Sequence, residues 1–485
     1  MNQIGNKLVL GLKSSPQYRW YILATVSVGT FMSTLDSSIV NVALPTISGQ
    51  LQADLSTLQW VVTAYLLTIS SLLPVFGRIA DLLGRKRVFS LGFLVFTLGS
   101  VLCALATNIW FLIGMRILQA IGASMLMANS AALIIANFPP KERGRALGLT
   151  GTVVALGSLT GPALGGIIVG LLNWRSIFFI NLPIGVLGYL AVRIILPPDK
   201  LQQNKETFDF VGALFFTFGM ISLMFALSNG QSWGWRSYPT LLGLVLGTLL
   251  LGLFFLTEVR VTNPMIDLTM FRIRPFFIGN ITGLLSFVAL FANVMLMPFY
   301  LQQVLNYSPA QVGLLMTFFP LTMAIFAPMS GYASDRIGPI VLTSSGLFVS
   351  AIGFLYLATL TITSSFWQIV PGLLLMGLGN GLFQSPNNSS VMSSVPPNKL
   401  GVAGGISALV RNVGMVIGIA FSVSLFQSRE ATLLVGVNHP TTLQQATAFV
   451  GAYHTVMLAS MSIALIATLI SLNRKGYAPL TKESQ

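Results

Sequence analysis

The chain has 485 residues, 54% of them hydrophobic and 8% charged, and a mean hydropathy of +0.81. A soluble domain carries about 25% charged residues, so the composition excludes a disordered chain, a nucleic-acid module and a cytosolic enzyme. The net charge of +14 is read as basic loops facing anionic lipid, and the single cysteine, Cys103 in an apolar run, excludes an intramolecular disulfide or a zinc cluster.

A helix needs about 20 apolar residues to cross roughly 30 Å of hydrocarbon. Windows of that length predict fourteen spans. Six come early: 20–44, 57–79, 88–106, 109–135, 146–171 and 177–196. Two, 210–227 and 239–257, follow a polar linker, and six more close the chain: 276–301, 310–333, 340–361, 366–392, 402–426 and 449–472. The predicted fold class is an all-α polytopic membrane protein. Residues 1–19 carry Lys7, Lys13 and Arg19 without a small-residue cleavage site, so the first helix is expected to be retained.

Orientation follows from lysine and arginine. With the N-terminus inside, three of the 26 basic residues (Arg175, Arg236 and Arg429) lie in external loops, and Arg116 and Arg411 lie within spans. The remaining 21 fall on the cytoplasmic side, which puts both termini in the cytoplasm.

Polar residues inside spans are costly and mark function or helix docking. In the first span Asp36 is the sole deeply embedded carboxylate. At 1.5 Å per residue it lies about 24 Å from the inner boundary, and Arg116, entering from outside, lies about 9 Å deep. The two share a depth and can pair, either to couple a proton or to dock two helices. Gln59 and Tyr65 on the second span are candidates for a substrate cavity, with Asn293 and Gln302 on the ninth. Asn380, Gln384 and Asn387 on the twelfth span share one helical face and must point at protein or water. Arg411 on the thirteenth has no embedded acid in its own half, which suits attraction for an anionic group or satisfaction by backbone carbonyls. On the fifth span Gly157, Gly161, Gly165 and Gly166 form a small-residue face beside Pro162, which permits a kink. The GLGNG run at 377–381 sits in an apolar helix with no strand nearby and is read as packing. His439 and His454 lack metal-ligand spacing, and no nucleotide-binding loop or catalytic constellation occurs.

Two loops repeat a pattern. GRIADLLGRKR after the second span places Gly77, Arg78, Asp81, Gly84, Arg85, Lys86 and Arg87; GYASDRIGP after the tenth places Asp335 and Arg336 between Gly331 and Gly338. Both fit G-x-x-x-D-x-x-G after the second helix of a six-helix block. This predicts two related bundles, 1–200 and 276–485, joined by a linker with two additional spans over 201–275. Such duplication is a transporter signature, with substrate bound near the midplane.

GRIADLLGRKR resembles the cytoplasmic loop motif of the major facilitator superfamily. RILQAIGAS at 116–124 is similar to its fourth-helix motif, and GSLTGPALGG at 157–166 to its fifth-helix antiporter motif. LDSSIVNVALP at 35–45, QWVVTAYLL, NWRSIFFINLPIG and PFYLQQVLNYSPAQVG resemble stretches of its fourteen-helix drug:proton antiporters of the EmrB/QacA type. The departures are Ser176, where those proteins often have an aromatic, and the lack of embedded acids in the second half. The resemblance implies a major facilitator fold and a proton-coupled multidrug exporter of the plasma membrane. Asp36 and Arg116 would serve proton coupling, and the loop charges from Arg78 to Arg87, with Asp335 and Arg336, conformational gating. The partners implied are protons, an amphipathic small molecule and the lipid bilayer, with no nucleic acid, metal or other cofactor; a monomer is expected. Export of a lipid-like or endogenous metabolite is the alternative, ahead of a channel or an intramembrane enzyme.

Overall fold

A computed structural model describes residues 17–199, 209–260, 268–396, 399–437 and 439–474; for residues 140, 141, 143–145, 147, 148, 151, 152, 155, 268, 335 and 401 it describes the backbone only. Among the described residues the chain is helical and contains no strand. In order, the helices are α1 Tyr18–Leu51, α2 Leu55–Leu83, α3 Arg85–Ala104, α4 Ile109–Asn137, α5 Pro140–Leu171, α6 Ser176–Phe179, α7 Asn181–Ile195, α8 Phe210–Trp233 and α9 Tyr238–Glu258. They continue as α10 Arg274–Phe299, α11 Pro309–Ile337, α12 Pro339–Leu357, α13 Phe366–Ser393, α14 Leu400–Leu433 and α15 Thr442–Leu472. A helix satisfies all its backbone groups within one segment, as lipid requires. Thirteen helical stretches among the described residues are long and apolar enough to cross a membrane, and α5 contributes a shorter apolar stretch, Leu156–Leu171. The chain is a multi-pass membrane protein.

Local chemistry sets the helix ends. Asn108 caps α4 by accepting from the Phe111 N–H at 2.8 Å. Ser308 and Gln311 close a capping box on α11, as Thr441 and Gln444 do on α15. Past Pro298, which removes one backbone donor, the end of α10 widens into a π turn over Tyr300–Val304. The sixth predicted span runs through α6 and α7, with Ile180 between them still in helical backbone (φ −60°, ψ −26°).

The helices form two compact units. One takes in the chain up to Ala53, Trp60–Ile221 and α9 from Gly247; the other takes in Asp54–Gln59, Ser222–Leu246 and the chain from α10 onward. Within the first, α1 packs on α5 and α3 on α4. Gly122 brings α4 against the α3 backbone at Gly92 and Phe96, and Phe89 and Phe93 meet edge to face with centroids 5.5 Å apart. The second unit repeats the device: Gly414 and Gly418 seat α14 on Leu284 and Val288 of α10, and Gly346 and Gly379 seat α12 on α13. The GLGNG glycines belong to this packing, with Gly377 against Phe319 and Gly381 against Phe326.

Candidate functional site

In α1 the hydroxyls of Thr30, Ser33 and Thr34 turn back onto carbonyls one helical turn earlier. That satisfies polar atoms which lipid could not. The next polar side chain has no such option. Asp36 is fully buried, and its carboxylate is held from three directions. Arg116 Nη1 donates to Oδ2 at 2.5 Å, while Gln119 Nε2 and Asn181 Nδ2 both donate to Oδ1 at 2.8 Å. Arg116 and Gln119 stand three residues apart on α4 and so face α1 together. Gly99 of α3 fits against the Gln119 backbone, where a Cβ would come within 2.6 Å. Asn181 opens α7.

The guanidinium is equally enclosed. Arg116 donates Nε to the Val61 carbonyl at 3.1 Å and Nη1 to Gln119 Oε1 at 2.6 Å, and it lies 4.0 Å above the Tyr65 ring. Ser100 accepts from Asn181 at 3.0 Å and donates to the Phe178 carbonyl at 2.8 Å, which extends the network through α3. This is a desolvated ion pair with hydrogen bonds to both partners. Taking one partner from such a pair costs about 3–5 kcal/mol, because the other charge stays buried and uncompensated. Sequence reasoning named Asp36 and Arg116 and missed Gln119, Asn181 and Ser100. The three-residue spacing of Arg116 and Gln119 was an available signal. Asn181, a polar residue within an apolar run, was another.

The small face of α5 packs on the same α1 segment. A Cβ on Gly157 would meet Thr34 and Leu35, one on Gly161 would meet Ser38 and Ile39, and one on Gly165 would meet Ile39. Ser38 also donates to the Gly157 carbonyl at 3.1 Å. Pro162 lies inside α5 and Gly166 is buried. The glycines therefore fix the residues on either side of Asp36.

Asp81, at the end of α2, pairs with Arg85 of α3 at 2.8 Å, and Arg85 also reaches the Ala132 carbonyl at 3.3 Å. Gly84 between them has φ 104°, and Gly338 in the second loop has φ 83°, so both final glycines of the repeat occupy backbone that other residues avoid. Asp199, missed by sequence reasoning, caps α3: its carboxylate accepts from the Lys86 N–H at 2.7 Å and the Arg87 N–H at 3.2 Å. Lys86 Nζ reaches the Arg193 and Leu196 carbonyls. A Cβ on Gly77 would meet open space, and Arg78 on the same helix is engaged. In the second loop Arg336 bonds and stacks on Tyr332; the Asp335 side chain lies outside the described residues.

A cavity of about 210 Å³ opens in the second unit between α10, α13 and α14. Its polar lining is Asn280, Gln384, Asn387, Asn388, Ser407 and Arg411, and Phe287, Val391, Met392 and Val410 supply apolar wall. Of the cavity candidates read from sequence, Gln384, Asn387 and Arg411 meet here. The others lie elsewhere. Asn293 accepts from Tyr453 at 2.8 Å, and Asn380 donates to its own helix at Met376. Gln59 donates to the Ser228 carbonyl at 3.3 Å, Tyr65 lies under Arg116, and Gln302 sits in the π turn. Arg474, just past α15, was also missed: it is fully buried, donates to Asn387 Oδ1, and burial pushes its guanidinium down to about 10. It is still a cation at neutral pH. Among the described residues no three His, Cys, Asp or Glu side chains gather as metal ligands.

The sequence profile of the Major Facilitator Superfamily matches residues 26–419. The chain is 37% identical over 449 residues to the riboflavin transporter RibZ of Clostridioides difficile (strain 630), covering 90% of this chain and 97% of that one. It is 36% identical over 399 residues to the multidrug resistance protein Stp of Mycobacterium tuberculosis (strain CDC 1551 / Oshkosh), covering 82% and 74%. Among solved structures, a bacterial homolog to the human lysosomal transporter Spinster, inward-facing and unoccupied, matches with a TM-score of 0.67 at 14% identity, covering 95% of this chain and 98% of that chain. The last likeness concerns the fold alone.

Proposed function

The chain belongs to the Major Facilitator Superfamily, and from that premise we propose that it is a proton-coupled exporter of amphipathic small molecules. On this reading it is a fourteen-helix drug:proton antiporter of the EmrB/QacA type, working by alternating access as a monomer. It sits in the plasma membrane with both termini in the cytoplasm. Residues 1–200 and 276–485 are its two bundles, and 201–275 joins them.

The observation that carries the reading is the enclosed Asp36–Arg116 pair with its Gln119 and Asn181 donors. A proton delivered to Asp36 neutralises the carboxylate and leaves Arg116 a buried cation. Its remaining acceptors are then Gln119 Oε1 and the Val61 carbonyl. The cost, about 3–5 kcal/mol, is of the size that separates two conformations of one protein. Proton binding therefore favours a packing in which Arg116 finds water or another partner, and proton release restores the pair. The α5 glycines tie this event to a helix contact, since a shift of Asp36 moves Ser38 and Ile39 against Gly161 and Gly165. The Asp81 loop biases the same exchange from the cytoplasmic end.

Multidrug relatives support export of foreign amphiphiles. The riboflavin transporter relative favours a second reading, export of an endogenous metabolite. Purified protein in liposomes tests the shared claim. An imposed pH difference, inside acidic or outside acidic, should drive ethidium or riboflavin against its gradient in one direction, and a protonophore should abolish the flux. Flux that ignores both the pH difference and the protonophore contradicts proton coupling.

A further inference from the structure

Arg411 is a guanidinium within a membrane span, and among the described residues it has no acid and no hydrogen-bond partner. Its neighbours in the cavity are engaged with one another. Ser407 donates to Asn280 Oδ1 at 3.3 Å, and Asn280 Nδ2 donates to the Phe276 carbonyl at 2.9 Å. Asn387 donates to the Gly279 carbonyl at 3.1 Å and accepts from Arg474. Three polar groups in the lining are left for a ligand: the Arg411 guanidinium, the exposed Asn388 amide and the Gln384 amide, whose buried Oε1 has no partner. Arg474 lies behind the Gly279 and Asn387 wall, with Nε and Nη1 buried and without partners, and adds a second positive charge. Among the described residues no acid lines the cavity.

We propose that this cavity is a subsite for the anionic group, a carboxylate, sulfonate or phosphate, of an amphipathic small-molecule substrate. The assignment rests on the exporter reading and narrows its substrate class. Embedded cations are expensive, and an anion that enters and leaves supplies the missing counter-charge during each cycle. A volume of about 210 Å³ is below the roughly 300–1,000 Å³ of sites for drug-sized ligands, which fits a headgroup rather than a whole ligand. Phe287, Val391, Met392 and Val410 offer apolar wall for the part of the molecule next to that headgroup.

Fluorescence anisotropy of purified full-length protein in detergent tests the subsite, with fluorescein as the anionic probe and rhodamine 6G as the cationic one. Fluorescein should bind at least tenfold more tightly than rhodamine 6G. Arg411→Gln should weaken fluorescein about ten- to hundredfold, the worth of a charge-assisted contact, and Arg411→Lys should retain most of the affinity. Equal affinity for the two dyes on wild-type protein overturns the subsite, whether or not Arg411→Gln folds. So does fluorescein binding that Arg411→Gln leaves intact. Short-chain phosphatidylglycerol is the lipid control: if it binds in an Arg411-dependent way and fluorescein does not, the small-molecule assignment falls. The two proposals fail separately. Proton-driven rhodamine export without fluorescein binding removes the subsite alone, and fluorescein binding without proton-driven flux removes the exporter reading.

Discussion

Asp36 and Arg116 are each intelligible only through the other. Both are fully buried, and neither charge has water to fall back on. Arg116→Met should therefore lower the stability of the folded protein by about 3–5 kcal/mol, because it strands the Asp36 carboxylate. Adding Asp36→Asn to that variant removes the stranded charge and should recover much of the loss. Thermal unfolding of the two single variants and the double variant in detergent measures this as a coupling energy. Strictly additive losses would contradict the burial of the pair. The same residue-level logic sets the second unit apart. Its embedded cations, half-buried Arg411 and buried Arg474, have no carboxylate beside them among the described cavity residues, and on the two proposals that asymmetry sets a proton site in one unit and an anion site in the other.

At the scale of elements, small residues decide which helices meet. Gly161 faces Ser38 and Ile39 so closely that a methyl group has no place without moving α1. Gly161→Ala should cost about 1–3 kcal/mol by overpacking. Gly252 of α9 faces open space, and Gly252→Ala should leave the melting temperature unchanged or raise it. Equal melting temperatures for Gly161→Ala and wild type would show that α5 does not rest on α1 as described. Much of this layer was legible in the sequence. The apolar windows gave the helices, the glycine spacing gave a contact face on α5, and the repeated loop pattern gave two glycines that both prove to have positive φ. What was not legible depends on topology. Asn181 reaches Asp36 across 145 residues, and Asp199 caps α3 from 113 residues away. The cavity candidates were chosen for polarity alone, and polarity does not say whether an amide meets a cavity, as Gln384 does, or its own helix, as Asn380 does.

For the whole molecule, the distribution of basic residues supports a cytoplasmic location for both termini. Alkaline phosphatase, active only outside the cytoplasm, should be active when fused after Ala53 or Gly436 and inactive when fused after Pro139. Activity at Pro139 would invert the proposed orientation. The loop charges act on the same scale. In this structure Asp81 pairs with Arg85 on the adjacent helix, a half-exposed pair whose direct contribution to stability is about 0–1 kcal/mol. On the proposed reading it biases one conformation over another. Asp81→Asn should cut transport while expression and substrate binding persist, and full transport by that variant would remove the gating role.

The central claim is that Asp36 carries the coupled proton. The decisive measurement is substrate-induced proton movement across vesicles containing Asp36→Asn, read with a pH-sensitive dye and normalised to folded protein. A permanently neutral side chain should abolish proton-coupled flux while downhill substrate exchange survives. Proton-coupled flux at the wild-type rate per folded molecule would contradict the account and reduce the Asp36–Arg116 pair to a clamp between α1 and α4.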